Sequence, residues 1–171
     1  MEKKRRKEIL EWLVALLIAA VAALLFRTYV AEFLLADGST MIPTLENGER
    51  IISLKLGEVQ RGDIIVFKLQ SDPRRFFVKR VIGLPNEEIS IISGQVYING
   101  ILWQETYLGS ISSQQTMEAL TIPEAHYFVM GDNRAVSLDS RDSVMGTIPI
   151  ENIRGKVVAV YWPLQQVRII H

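Results

Sequence analysis

Gln95-Val96-Tyr97-Ile98-Asn99-Gly100-Ile101-Leu102-Trp103 reads as two short strands joined at Asn99-Gly100. That dipeptide tolerates the positive φ that a type I′ turn demands, and the residues on either side are rich in β-branched and aromatic side chains. The same texture continues outward in both directions. Arg50 to Leu54, Asp63 to Phe67, Phe76 to Leu84 and Glu88 to Ile92 precede the hairpin, while Tyr127 to Met130, Lys156 to Trp162 and Val167 to Ile170 follow it. Each run has strand length and is bounded by turn residues, and nothing after the N-terminal apolar stretch shows helical periodicity. A mainly β body is expected. Gln104 to Ala125 is the exception: it is polar through Ser110 to Gln115 and reads as a long connecting loop.

Upstream the pattern changes. After Lys3-Lys4-Arg5-Arg6-Lys7 the chain runs from Trp12 to Phe26 without a charge, fifteen residues in all. A membrane-spanning helix needs roughly twenty mostly apolar residues, so this one must recruit Ile9 and Leu10 or the following Thr28 to Leu35. A cleavable leader has a similar outline, but Arg27, Tyr29, Glu32 and Phe33 interrupt the region where a small-residue cleavage site would stand. The stretch therefore reads as a retained transmembrane anchor. The basic cluster ahead of it assigns the N-terminus to the cytoplasm. The expected organisation is a basic cytoplasmic segment at 1–8, an anchor with its juxtamembrane segment at 9–35, and an extracytoplasmic β domain at 36–171.

Composition narrows the chemistry. The 171 residues, 49% hydrophobic, suffice for one domain and an appendage. Lysine and arginine total 19 and so do aspartate and glutamate, which gives nucleic acid no purchase. The chain has no cysteine, so thiol catalysis, thiolate metal sites and disulfides are excluded. Neither His126 nor His171 stands near a recognisable nucleophile motif. No His-Glu-x-x-His pattern occurs, and Asp132 to Ser143 lacks the glycine and glutamate of a calcium loop; no cofactor is expected.

Lysine is the remaining base. In Phe76-Phe77-Val78-Lys79-Arg80-Val81, strand alternation sets Lys79 on one face and Arg80 on the other, so one cation must lie against apolar surface. Arginine keeps its proton in proteins, whereas burial drives a lysine towards its neutral form. Taken alone, Lys79 reads more simply as a strand lysine that blunts edge pairing or reaches to water. Asp37-Gly38-Ser39-Thr40-Met41-Ile42-Pro43-Thr44 lies just beyond the apolar segment, and Gly131 to Arg141 is dense in groups that hydrogen-bond one another. A turn and a solvated loop are the plain readings of these two.

Taken together in this order, the pieces resemble the type I signal peptidases, membrane-anchored proteases that remove signal peptides from exported proteins. The resemblance runs through the anchor, Gly38 to Leu45, Arg61 to Phe67, Val78 to Pro85, Tyr127 to Arg141, Gly146, Pro149, Gly155-Lys156 and Tyr161-Trp162-Pro163. It implies an antiparallel β-sheet catalytic domain at the outer face of a bacterial cell membrane, with preprotein signal peptides and the lipid bilayer as partners. It also implies that Lys79 is the general base of a two-residue dyad and that Ser137 positions its amine. Asp132, Arg134, Asp139 and Arg141 would form the supporting polar network. Backbone N–H groups around residues 38 to 40 would stabilise the oxyanion, and substrates would carry small residues, usually alanine, at the first and third positions before the cut.

The chain departs from the family at one decisive position. The family pattern is Gly-x-Ser-Met-x-Pro-Thr, and here the residue before Met41 is Thr40, with Ser39 ahead of it. Three readings follow: Thr40 as a working nucleophile, Ser39 attacking after a backbone adjustment, or a silent relative that binds substrates or partners in a secretion or pilus assembly. A self-cleaving repressor with a related dyad conflicts with the anchor and with the lack of a helix-turn-helix pattern. A smaller departure is Asn86-Glu87, where the family usually has Gly-Asp after Pro85.

Overall fold

The computed structural model describes residues 2–108 and 113–170, with side chains from residue 5. His171 and residues 109–112, part of the expected loop, lie outside the described residues. The chain opens with a 28-residue helix, α1 (Glu2–Tyr29). Its stretch Arg5–Tyr29 is long and apolar enough to cross a membrane: the most apolar 18-residue window within it has a mean hydropathy of 2.6, and none of that window is buried in the protein. The helix gains its length by extending back through Ile9 into the basic cluster.

Among the described residues twelve strands follow: β1 (Ala31–Leu35), β2 (Arg50–Leu54), β3 (Ile64–Leu69), β4 (Asp72–Gly83), β5 (Glu88–Ile92), β6 (Gln95–Ile98), β7 (Ile101–Leu102), β8 (Met117–Thr121), β9 (His126–Met130), β10 (Ile148–Pro149), β11 (Ile153–Trp162) and β12 (Arg168–Ile169). The larger sheet runs β1-β2-β11-β3-β4-β9-β10, with β12 also on β11, and the smaller runs β7-β6-β5-β8. Every pairing is antiparallel. Asn99 and Gly100 have φ of 51° and 75°, as the type I′ hairpin between β6 and β7 requires. At the departure after Pro85, Asn86 has φ 67°, a conformation glycine adopts freely and asparagine tolerates, so the turn accepts the replacement.

β3 explains how the sheet carries a site. Ile64 and Val66 pack on one side with Met41, Leu45, Val157 and Val160; Ile65 and Phe67 pack on the other with Val81, Tyr127, Val129 and Ile148. A strand buried on both faces reads as an unbroken apolar run, as Ile64-Ile65-Val66-Phe67 does. A third cluster of Ile82, Phe128 and Met130 with Ile89, Ile91, Val96 and Ile98 ties the small sheet to β4 and β9.

The structure corrects three expectations. Ala31–Leu35, read as juxtamembrane, is a strand paired along its whole length with β2, so the β domain begins before residue 36. Met117–Thr121, read as loop, is an edge strand on β5. Four of its five residues are exposed, so no alternation marked it. The two-residue β10 falls outside every run read as a strand.

Candidate active site

Residues 36–45 cross from β1 towards the core as a compact turn. Met41 and Leu45 are its buried pegs, joined by the Leu45 N–H to the Met41 carbonyl at 2.9 Å. Asn47 Oδ1 accepts the Gly38 N–H at 2.8 Å. Thr44 sits at the far end, where its hydroxyl donates to Asp132 and its carbonyl accepts from Arg168 Nη2 at 2.6 Å. Held this way, Thr40 is half-buried and lines a groove of about 390 Å³ whose other walls include Leu34, Phe76, Val78, Lys79 and Leu138. Ser39 is exposed and does not line it.

Lys79 lies opposite Ile65 in the β3–β4 register and is 3% exposed. Burial brings its pKa down from 10.5 to about 8; Arg141 and Arg75 push the same way, while Asp139 and Asp132 pull back. Close to half the molecules would therefore hold a neutral amine at mildly alkaline pH. Both cations of the Lys79-Arg80 pair turn out to be buried. The sequence required only one to be, and Arg80 is tolerated because Asp132 neutralises it.

The polar shell behind the groove is organised around Gly131. Its N–H donates to Asp139 Oδ2 at 2.9 Å, and its carbonyl accepts from Arg134 Nε at 3.1 Å. A Cβ at Gly131 would stand 2.2 Å from Ser137 Oγ and 2.4 Å from the Thr40 carbonyl oxygen, so only glycine lets Ser137 and the Thr40 turn close on it. Asp139 is gripped by Arg141 through Nε at 2.7 Å and Nη2 at 2.8 Å. Its carboxyl stays below the usual range because these bonds outweigh the opposing effect of burial. The Ser137 hydroxyl is buried beside the Asp139 carboxylate, whose charged form it favours, and makes no hydrogen bond of full geometry among the described residues.

Sequence reasoning pointed to Thr40, Lys79, Ser137, Asp132, Arg134, Asp139 and Arg141, and the fold brings them together around this groove and shell. It missed four residues. Arg80 binds both Asp132 oxygens, with Tyr107 stacked 3.9 Å from its guanidinium; Thr44 joins that pair; Glu105 pairs with Arg134. Glu105 and Tyr107 stand in the stretch read as loop, where nothing local marks a distant partner. The expected oxyanion donors also narrow, since the Gly38 N–H is already committed to Asn47. No group of histidine and carboxylate side chains able to hold a metal occurs among the described residues.

A model of the family described as signal peptidase, peptidase S26, matches residues 9–162. The chain belongs to that family. Signal peptidase I S of Bacillus subtilis (strain 168) is 39% identical over 178 residues, covering 96% of this chain and 95% of the relative. Signal peptidase I of Bacillus caldolyticus is 37% identical over 183 residues, covering 96% of each. A crystal structure of a signal peptidase I from Enterococcus faecalis V583 superposes with a TM-score of 0.52 at 34% identity, covering 59% of this chain and 97% of that one. The antiparallel β architecture is that of the family, and the function is that of a signal peptidase, a protease whose substrates are preproteins bearing signal peptides.

Proposed function

We propose that Thr40 is the nucleophile and Lys79 the general base of a hydroxyl/lysine dyad that cleaves signal peptides from exported preproteins. One observation carries this reading: Thr40 and Lys79, whose buried amine is easily deprotonated, line the same groove. The neutral amine takes the Thr40 proton as Oγ1 attacks the scissile carbonyl. The resulting ammonium protonates the departing amine, leaving an acyl group on Thr40. Lys79 then deprotonates a water that releases the acyl group and restores the hydroxyl. Ser137, whose buried hydroxyl stands beside the Asp139 carboxylate, orients the amine. Arg134, Asp139 and Arg141 hold the loop carrying Ser137, and Asp132 anchors the Thr40 turn through Thr44. No step needs a cofactor.

The threonine methyl restricts χ1 and crowds the attacking oxygen, so Thr40 is a slower nucleophile than serine would be. The groove walls of Leu34, Phe76, Val78 and Leu138 leave apolar subsites suited to small residues at the first and third positions before the cut. Helix α1 spans the membrane once, with its basic start in the cytoplasm and the β domain on the outer side of a bacterial cell membrane.

The test is cleavage of a preprotein with alanines before the cut by the parent, Thr40→Ser, Thr40→Ala, Ser39→Ala and Lys79→Ala in detergent. Thr40→Ala and Lys79→Ala are expected to be inert, and Thr40→Ser to match or exceed the parent. Loss of cleavage in Ser39→Ala alone would reassign the nucleophile. Cleavage by Thr40→Ser only would make the present chain a silent binding relative.

A further inference from the structure

Asn133 is buried behind the Thr40 turn and is not among the residues lining the groove. Its side-chain Nδ2 donates to the Ser39 carbonyl at 3.1 Å, and its backbone N–H donates to the Thr40 carbonyl, also at 3.1 Å. One residue thus holds two consecutive carbonyls of a segment that belongs to no helix or strand. Asn133 Oδ1 is buried with no partner. The amide can sit only this way round, because a flip would set two carbonyl oxygens face to face at that distance.

The consequence follows from peptide planarity. The Ser39–Thr40 bond is trans, so the Ser39 carbonyl and the Thr40 N–H point in opposite directions within one rigid plane. Fixing the carbonyl on Asn133, which does not line the groove, turns the Thr40 N–H away from Asn133. Among the described residues nothing accepts a hydrogen bond from that N–H. It is a free donor beside the attacking oxygen.

Resting on Thr40 as nucleophile, we propose that Asn133 is the positioning residue of the oxyanion site, its bond to the Ser39 carbonyl aiming the Thr40 N–H at the substrate carbonyl oxygen. When Thr40 Oγ1 bonds to the carbonyl carbon, the C=O electron pair moves onto oxygen and the hydroxyl proton passes to Lys79. The Thr40 N–H meets the charge so formed. Loss of such a donor typically costs on the order of 10²–10³ in kcat. A donor merely released from its aim should cost up to about a hundredfold.

The experiment uses Asn133→Leu, which keeps bulk without a donor, and Asn133→Ala. Each is titrated with a peptide aldehyde bearing alanines at the first and third positions, which forms a tetrahedral oxyanion adduct, and with the matching peptide acid, which does not. The expected result is a loss of aldehyde affinity of roughly tenfold or more with acid affinity unchanged, and a kcat loss of similar size with the pH inflection still near 8. The aldehyde-to-acid ratio is independent of the fraction folded, so a destabilised variant still reports. An unchanged ratio in both variants overturns the proposal. Thr40→Ala run in parallel separates the two readings: if it keeps the aldehyde preference, the nucleophile assignment fails; if it loses it while Asn133→Leu and Asn133→Ala retain it, only the role of Asn133 fails.

Discussion

Arg80 and Asp132 form a bidentate pair across the β4–β9 boundary, with Nε and Nη2 at 2.9 and 2.7 Å from the two carboxylate oxygens and both side chains essentially dry. Thr44 donates to the same carboxylate. The pair therefore links the sheet to the turn that carries Thr40. Asp132→Ala strands a buried guanidinium and should cost about 3–5 kcal/mol, read as a lowered denaturant midpoint. The double variant Arg80→Met/Asp132→Leu should recover most of that stability and still cleave poorly, because Thr44 has lost its anchor.

With Lys79 as the proposed base, its amine should set the pH dependence of cleavage. With a pKa of about 8, the neutral fraction falls about tenfold per pH unit below that value, so kcat/KM should climb from pH 6 to 8 and level off above. A profile flat across this range would exclude Lys79 as the base.

The same ionisation sets a stability window. Because the folded pKa is about 8 against 10.5 for the free side chain, the unfolded chain binds more protons between those values, and this group's contribution makes stability rise with pH across that interval. Below it the folded state carries a penalty of about 3 kcal/mol. Lys79→Met removes that penalty, so its Tm should exceed the parent's by several degrees at pH 7, and the advantage should shrink as pH approaches 10.5. A Tm difference constant from pH 7 to 10.5 would contradict the depressed amine.

Arg75 lies exposed on the groove rim, 5.2 Å from the centre of the Phe77 ring, and its charge is one of those lowering the Lys79 pKa. Arg75→Glu reverses that field. The inflection of kcat/KM should move to higher pH, with little change in Tm.

Gly131→Ala tests the closeness of the shell. Its methyl would collide with Ser137 Oγ and the Thr40 carbonyl, displacing the turn by an ångström or so, which should cost on the order of a hundredfold in kcat. Near-parental cleavage by this variant would show that the turn need not sit so close.

Much of the fold was legible because alternation, turn chemistry and the apolar run of β3 are local signals. The hairpin at Asn99-Gly100 and the strand carrying Lys79 fall into this class. β1 was hidden by continuity with the anchor, since Phe33-Leu34-Leu35 is as apolar as the helix before it. β8 was hidden because an edge strand with four exposed residues owes its form to its neighbour β5. At the site, Lys79 stood out because a cation within an apolar run demands an explanation. Glu105 and Asn133 did not, because each acts through a partner 29 or more positions away in the chain. Such pairings exist only once the sheets have formed.

Only Val30 separates α1 from β1, and the junction is fastened by Lys55, whose Nζ reaches the Thr28 carbonyl at 2.9 Å and whose N–H reaches the Val30 carbonyl at 2.9 Å. With the helix set in a bilayer as proposed, there is no slack tether on which the protease could bob or swivel. Its cutting edge rides at a fixed altitude over the lipid. A preprotein must then bring its own scissile bond up to that level, so the span between its greasy core and its cut is dictated by the enzyme's mounting as much as by the groove.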